Sequence, residues 1–261
     1  MSYVTVDGIE IYYEVPHEFE KRGEISPVLL IHGAGGSSQH WQPLLAHLSD
    51  CLYPILVDLP GHGRSGGTVP LTVDEAVTVL EHFLTQLGIE HSLSCIGHSL
   101  GGLIAQQLAL RYPKRIAQLA LIATAARIRP HPDLVNSLLT SQWDLENLRA
   151  SFAPHTPREV QDMVLNELPK TRIAGGTSTF MNLDEIDMSQ QIATLSVPTL
   201  IIAGHNDVVI SRRHAHLLHQ KIPFSTLLVV PDSGHYVQVE QPESVAQALH
   251  QFLLHKQGRE G

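Results

Sequence analysis

The chain has 261 residues, a formal net charge of −9 and a hydrophobic fraction of 43%. This length and composition exclude a disulfide-dependent mini-protein and a disordered chain, because enough apolar surface can be buried to support a core. The acidic balance disfavours nucleic acid and membrane surfaces as partners, and two cysteines provide neither a disulfide framework nor zinc spacing. With no signal-peptide pattern and no membrane-length apolar run, we expect a soluble cytoplasmic protein.

The first predicted elements are two β-like runs, residues 3–6 and 9–15, separated by Asp7-Gly8. An Asp-Gly pair between such runs favours a hairpin. Short, nearly continuous apolar runs follow, of the kind that form strands buried on both faces. These runs are residues 28–31, 55–57, 93–96, 119–122, 199–202 and 227–230.

Segments with helical periodicity separate most of these runs. The clearest are residues 72–87, 100–112 and 242–254, with apolar residues recurring every three or four positions. Gly88 and Pro113 follow the first two and are expected to end them. Alternation of strands and helices predicts an α/β fold with a mostly parallel sheet and helices on both faces.

The stretch 125–190 departs from this alternation because it contains no buried-strand run. Its prolines interrupt short helical patterns, the clearest at residues 143–152 and 158–168. We interpret it as a helical insertion, not an independent domain, within a core formed by residues 1–124 and 191–261.

A candidate nucleophile lies in Gly97-His98-Ser99-Leu100-Gly101, which matches the pattern G-x-S-x-G. A predicted strand leads into this segment and a predicted helix leaves it, which is the context of a nucleophile elbow. Such a turn is tight, which explains the glycines at positions 97 and 101, two residues before and after the serine. An incidental serine in a glycine-rich turn is the alternative reading of this segment.

A serine nucleophile requires a base and an acid that orients the base. Asp207 and His235 follow the predicted strands 199–202 and 227–230, in the order Ser, Asp, His. Asp58 and Asp232 are rival acids, but Asp58 precedes the serine, and Asp232 is better explained as a turn residue. We therefore predict Ser99, Asp207 and His235 as a catalytic triad that needs no metal or cofactor.

A glycine-rich loop, His32-Gly33-Ala34-Gly35-Gly36, follows the predicted strand 28–31. Such a loop can offer a backbone N–H to an oxyanion, and the residue after the nucleophile, Leu100, offers a second. Its glycines do not fit G-x-G-x-x-G, and no G-K-[ST] follows, so a nucleotide site is disfavoured.

These motifs, with Asp58-Leu59-Pro60-Gly61-His62-Gly63-Arg64-Ser65, resemble the α/β-hydrolase superfamily over nearly the whole chain. The resemblance implies a mostly parallel eight-stranded sheet and Ser99, Asp207 and His235 as the triad. It also implies an oxyanion hole made by the N–H groups of Ala34 and Leu100, and a helical cap formed by 125–190. Asp58 is then structural.

The residues around the serine narrow the resemblance. Dehalogenase-like and epoxide-hydrolase-like members have aspartate where this chain has Ser99. Members similar to carbon–carbon hydrolases often have Asn at His98, and the lyase-type menaquinone synthases have Arg at Leu103. We expect a serine hydrolase of small carboxylic esters or lactones. The alternatives are a carbon–carbon hydrolase or lyase of the same fold and a non-catalytic small-molecule receptor.

Several further residues are candidates for the substrate pocket. They are His32, Gly33, His98, Trp143 and Phe180. For the two histidines, the more common role is hydrogen bonding behind the site. For the two aromatic residues, it is packing of the cap onto the core. His214, His216 and His219 are a poor metal set, because positions i and i+2 do not share a helical face. The net charge favours neutral or cationic esters over anionic ones, and oligomeric state, monomer or homodimer, is undetermined.

Overall fold

A computed structural model describes residues 2–16, 27–48, 52–70, 72–129, 140, 143–172 and 186–254. An eight-stranded sheet with strand order β1-β2-β4-β3-β5-β6-β7-β8 forms its centre. The strands are β1 Ser2–Val6, β2 Ile9–Glu14, β3 Pro27–Ile31, β4 Tyr53–Val57, β5 Leu93–His98, β6 Ile116–Ile122, β7 Thr199–Gly204 and β8 Ser225–Val230. Strands β3 to β8 pair in parallel and β1 and β2 are antiparallel, so the predicted fold class is confirmed.

The described α-helices fall on both faces of this sheet and in the connection between β6 and β7. They are α1 Gln42–Leu45, α2 Val73–Gln86, α3 Leu100–Arg111, α4 Leu145–Leu148, α5 Arg158–Leu165, α6 Arg212–Lys221, α7 Val237–Glu240 and α8 Pro242–Leu254. Short 3-10 helices cover Ser38–Trp41, Arg149–Ser151, Leu168–Lys170 and Gln191–Thr194. Within the described ranges, no helix combines the length and apolar character needed to cross a membrane.

The edge hairpin forms where the Asp-Gly pair predicts it. Asp7 and Gly8 have φ values of 49° and 82°. These positive values match the right-handed twist of the adjoining strands, because a turn of this hand does not splay them apart. The hairpin therefore extends the sheet at one edge, where β2 pairs with β4.

Two apolar layers enclose the sheet because successive side chains of a strand point to opposite faces. On β3, Leu29 and Ile31 face the layer that contains α2, α3 and α6. Val28 and Leu30 face the layer that contains α1, α7 and α8. The continuous apolar runs of the sequence are explained by this burial on both faces.

The connection between β6 and β7 contributes a third apolar cluster. Side chains of α5 and its flanks pack here against Tyr236 and Val239, beside the end of β8. The helices are shorter than predicted: α4 passes into a 3-10 turn at Arg149, and α5 ends at Leu165. The described parts of this insertion therefore lie against the carboxyl edge of the sheet.

Candidate active site

Loops from the carboxyl ends of four strands meet at one edge of the sheet. The Ser99 turn follows β5, and the glycine-rich loop follows its neighbour β3. Strands β4 and β5 follow β3 in the chain and pair with it on opposite sides, so the direction of strand addition reverses at β3. At such a switch point, parallel α/β sheets form a crevice. The loops with Asp207 and His235 follow β7 and β8, so the sheet topology brings the three predicted triad residues and the glycine-rich loop to one edge.

The backbone at Ser99 has the strained geometry of a nucleophile elbow. Its φ is 53° and its ψ is −117°, a conformation that side-chain-bearing residues rarely adopt. A Cβ on Gly97 would lie 2.3 Å from the carbonyl oxygen of Gly101, and one on Gly101 would lie 2.2 Å from that of Ile31. The Thr124 hydroxyl donates a 2.7 Å hydrogen bond to the Ser99 carbonyl oxygen. Only glycine therefore fits at positions 97 and 101, two residues before and two residues after Ser99.

A chain of hydrogen bonds joins the predicted triad side chains. The His235 Nε2 lies 3.1 Å from the Ser99 Oγ, and the His235 Nδ1 lies 3.0 Å from the Asp207 Oδ2. The second carboxylate oxygen of Asp207 accepts hydrogen bonds from the backbone N–H groups of Val209 and Ile210, at 2.8 and 2.9 Å. All three triad side chains are buried. Asp207 therefore favours the tautomer with its proton on Nδ1, which leaves Nε2 to accept the serine proton.

The glycine-rich loop lies directly against the serine turn. A Cβ on Gly33 would be 3.1 Å from the Ser99 Cβ, so only glycine permits this approach. The loop turns through a 3.1 Å hydrogen bond from the Gly36 N–H to the Gly33 carbonyl oxygen. Ala34 and Leu100 both line the cavity beside Ser99. Leu100 begins α3, where backbone N–H groups have no partner within the helix.

His98 supports the loop of His235 from behind. Its Nε2 donates a 2.9 Å hydrogen bond to the main-chain carbonyl oxygen of His235. Burial, followed by the neighbouring His235, lowers the pKa of His98 well below its usual value, so the ring is neutral. The ring borders the cavity, and its Nε2 proton is donated to the loop that carries His235.

His32 and Gly33, the pocket candidates from the glycine-rich loop, are not among the residues that line the cavity. The fully buried His32 donates from Nδ1 to the Gly33 carbonyl oxygen at 2.7 Å and accepts the Leu59 N–H on Nε2 at 3.0 Å. Both ring nitrogens are thus occupied beneath the loop, and Gly33 lies behind Ala34. Asp58 similarly accepts backbone N–H groups of Ser38 and Arg64, which ties two loops together.

The aromatic pocket candidates have different outcomes. Trp143 is absent from the described cavity wall and packs against the apolar clusters of the core and the insertion. Its ring reaches the glycine-rich loop, since the Trp143 Cη2 would lie 3.6 Å from a Cβ on Gly35. Phe180 lies outside the described residues. Tyr236, which was not among these candidates, does line the described cavity wall. Its ring stacks on that of Phe152, with ring centroids 4.8 Å apart.

Glu240 links the base loop to the insertion, a role that nothing in the sequence indicates. One carboxylate oxygen accepts the N–H groups of Gly234 and Tyr236 at 3.0 and 3.2 Å. The other accepts the Ala153 N–H at 2.7 Å and the Thr156 hydroxyl at 2.6 Å. In the sequence, nothing distinguishes Glu240 from a solvent-exposed helix residue, so only the fold reveals these contacts.

The insertion also contacts the glycine-rich loop. The Ser37 hydroxyl donates a 2.7 Å hydrogen bond to Glu167, whose other oxygen accepts from Lys170 at 2.6 Å. Nearby, the His40 Nε2 donates to the Val164 carbonyl oxygen at 3.2 Å. Hence the insertion touches both loops that flank Ser99.

A cavity of about 740 Å³ opens beside Ser99. Small and aliphatic side chains of the core and of the insertion form most of its described wall. This volume is in the range of small-molecule sites. No group of three or more potential metal ligands occurs among the described residues.

Comparison with known proteins gives a consistent result. The family model described as the alpha/beta hydrolase family matches residues 28–248. A pimeloyl-[acyl-carrier protein] methyl ester esterase of Edwardsiella ictaluri is 31% identical over 86% of this chain and 92% of its own length. A 3-oxoadipate enol-lactonase of Acinetobacter baylyi is 30% identical over 85% and 87%. The solved structure of a thermophilic esterase from Thermogutta terrifontis superposes with a TM-score of 0.84 at 25% identity, covering 97% and 98% of the two chains.

Proposed function

The chain belongs to the alpha/beta hydrolase family, and on that premise we propose that it is a serine hydrolase that cleaves small carboxylic esters or lactones through an acyl-enzyme. The carrying observation is the continuous hydrogen-bond chain Ser99–His235–Asp207 at the edge of the cavity. The similarity to an ester-cleaving and a lactone-cleaving relative supports the choice of bond.

In this mechanism the Ser99 Oγ attacks the carbonyl carbon of the ester while the His235 Nε2 removes its proton. Asp207 holds the imidazolium that forms. His235 then gives the proton to the leaving alcohol oxygen, and the acyl group remains on Ser99. A water molecule, deprotonated by His235, then attacks the acyl carbon. The bond between this carbon and the Ser99 Oγ breaks, His235 returns the proton to the Oγ, and the acid is released.

The developing oxyanion needs preorganised donors, and we assign this role to the N–H groups of Ala34 and Leu100. Their support is the close approach of Gly33 to Ser99 and the position of Leu100 at the start of α3. We further propose residues 125–190 as the cap that shapes the substrate pocket, since its described side chains form part of the cavity wall. Residues 1–124 and 191–261 are then the hydrolase core.

A fluorophosphonate probe tests this proposal because it reacts with an activated serine. We expect stoichiometric labelling, which peptide mapping places on Ser99, and its loss in the variant His235→Ala. As a matched control, His250→Ala removes an exposed histidine of α8 and should label like the parent protein.

Labelling at another residue, or unchanged labelling of Ser99 in His235→Ala, would refute the triad. A protein that binds small esters tightly without labelling or turnover would instead be a receptor. The esters themselves should be tested as p-nitrophenyl compounds of increasing acyl length.

A further inference from the structure

The cavity beside Ser99 continues along one face of α6. His214, Leu217, Leu218 and Lys221 line it, and their spacing of three, four and seven residues places them on one side of the helix. From His214 to Lys221 the helix rises about 10 Å. Because α6 begins just after the Asp207 loop, the cavity extends from the triad toward the end of α6.

The middle of this extension is apolar. Ile192, Ile210 and Leu218 are buried in its wall. Val209 and Leu217 also line it and are 52% and 42% exposed, so the apolar wall reaches the solvent. A wall of this composition suits an alkyl chain, since contact with it removes apolar surface from water on both sides.

Cations lie at the far end of the cavity. Lys221 and Arg127 line it, and both lower the pKa of the nearby Asp187, after the larger effect of its hydrogen bonds with Ser189. The Lys221 Nζ donates to the Ser189 carbonyl oxygen at 2.8 Å. An ammonium group carries three donors, so this bond occupies one of them.

Basic residues outnumber acidic ones among the described lining residues, with Arg127, Arg129 and Lys221 against Asp144. Asp144 belongs to the insertion, and its carboxylate accepts the Asn147 N–H at 3.0 Å as the N-cap of α4. Asp187 offsets part of the positive charge through its ion pair with Arg127, at 3.5 Å. The described end of the cavity at α6 remains cationic although the chain carries −9.

We propose that the substrate is an ester whose carbonyl lies at Ser99 and whose alkyl chain follows α6 to a terminal carboxylate bound by Lys221 and Arg127. This inference rests on the proposed ester hydrolysis and adds the chemical class of the substrate. The apolar stretch between the reacting serine and the cations sets the length of the chain.

Steady-state kinetics on two matched series test the proposal. One series contains methyl half-esters of linear dicarboxylic acids from succinic to dodecanedioic acid, and the other the methyl monoesters of equal chain length. We expect one range of chain lengths at which the half-ester has a kcat/KM about two- to fivefold higher, the size of effect of one partly exposed ion pair. This preference should decrease as ionic strength rises.

The variant Lys221→Gln should lower kcat/KM for the half-esters more than for the monoesters and so remove most of the preference, whereas Lys221→Arg should retain it. Lys114→Gln is the matched control, because Lys114 is an exposed lysine after α3 and outside the cavity lining. Thermal unfolding checks that the variants fold. A third series, acetate esters of ω-hydroxy acids, distinguishes a carboxylate on the alcohol side from one on the acyl side.

Equal kcat/KM for half-esters and monoesters at every length would overturn the inference, as would equal losses on both series in Lys221→Gln. Absence of turnover with every ester, together with absent probe labelling, would refute the proposed function instead. Calorimetric titration of the dicarboxylic acids into Ser99→Ala is independent of turnover. Binding weakened about two- to fivefold by adding Lys221→Gln would support the site, and unchanged binding would contradict it.

Discussion

At the scale of single residues, the site depends on where hydrogen-bonding capacity is used. Both oxygens of Asp207 are occupied, one by His235 and the other by two backbone N–H groups. The carboxylate is therefore fixed in the orientation that selects the tautomer of His235. His98 donates to the main-chain carbonyl oxygen of His235, so the side chain and the backbone of His235 are held separately.

The variant Asp207→Asn tests the orienting role. An amide can keep the backbone contacts but can donate to Nδ1, which favours the tautomer that cannot accept the serine proton. We expect kcat for an activated ester to fall by about 10³- to 10⁴-fold with the fold retained. Asp232→Asn is the control, since Asp232 is exposed with φ 50°, a conformation that asparagine tolerates. A drop in kcat below tenfold for Asp207→Asn would contradict the triad.

At the scale of elements, the insertion is hydrogen-bonded to both loops that flank Ser99. Ser151 accepts the His235 N–H at 2.7 Å, and Glu240 joins the loop at 234–236 to the segment at 153–156. Glu167 holds Ser37 at the end of the glycine-rich loop. Movement of the insertion would therefore be transmitted to the base and to the proposed oxyanion hole.

Glu240→Gln tests the first of these links. An amide nitrogen would face N–H donors, leaving at least one of them without an acceptor, so we expect a loss of about 1–3 kcal/mol in the free energy of unfolding. Because the base is displaced while the cavity is retained, kcat should fall more than KM changes. Urea unfolding and ester kinetics measure the two effects.

The control is Glu243→Gln, an exposed carboxylate in the first turn of α8, which should leave stability and kcat unchanged. Parent-like kcat in a destabilised Glu240→Gln would show that Glu240 supports the fold without positioning the base.

At the scale of the whole molecule, buried neutral histidines make stability depend on pH. Burial lowers the pKa of His40 and His62 to about 4, and that of His32 and His98 well below its usual value. The unfolded chain therefore binds protons at a higher pH than the folded protein. The contribution of these four histidines to stability is fully present above the pKa of about 6.5 that they have in the unfolded chain, and it is lost as the pH falls toward 4.

We expect the free energy of unfolding to decrease steadily from pH 7 to pH 4.5, by up to about 1.4 kcal/mol per pH unit for each titrating histidine, and the urea midpoint to decrease with it. Asp58 has the opposite effect on stability at the acid end of this range. Because burial raises its pKa, the folded protein binds this proton more readily than the unfolded chain does. His62→Asn should flatten the dependence, whereas replacement of the exposed His47 by Asn should not. A midpoint that stays constant over this range would contradict the prediction.

Much of the architecture was determined by the sequence itself. Each strand of the sheet corresponds to a predicted run. The central strands left continuous apolar runs because they are buried on both faces, and the edge hairpin left β-like runs on either side of Asp7-Gly8. The triad candidates were identifiable for a related reason. Ser99, Asp207 and His235 each follow a predicted strand, and parallel strands bring such positions to one edge. Helix lengths in the insertion were less predictable, since packing against Tyr236 and Val239 decides where they end.

Only the tertiary structure decided which side chains support and surround the site. Ser37 and Glu167 are 130 residues apart, and their contact depends on how the insertion folds back onto the core. His32 is adjacent to the glycine-rich loop in sequence, but its ring lies beneath that loop. The net charge of −9 favoured neutral or cationic esters, whereas the cavity places Lys221 and Arg127 at one end. A net charge is a sum without positions, and recognition depends on the few charges that the fold brings to the ligand.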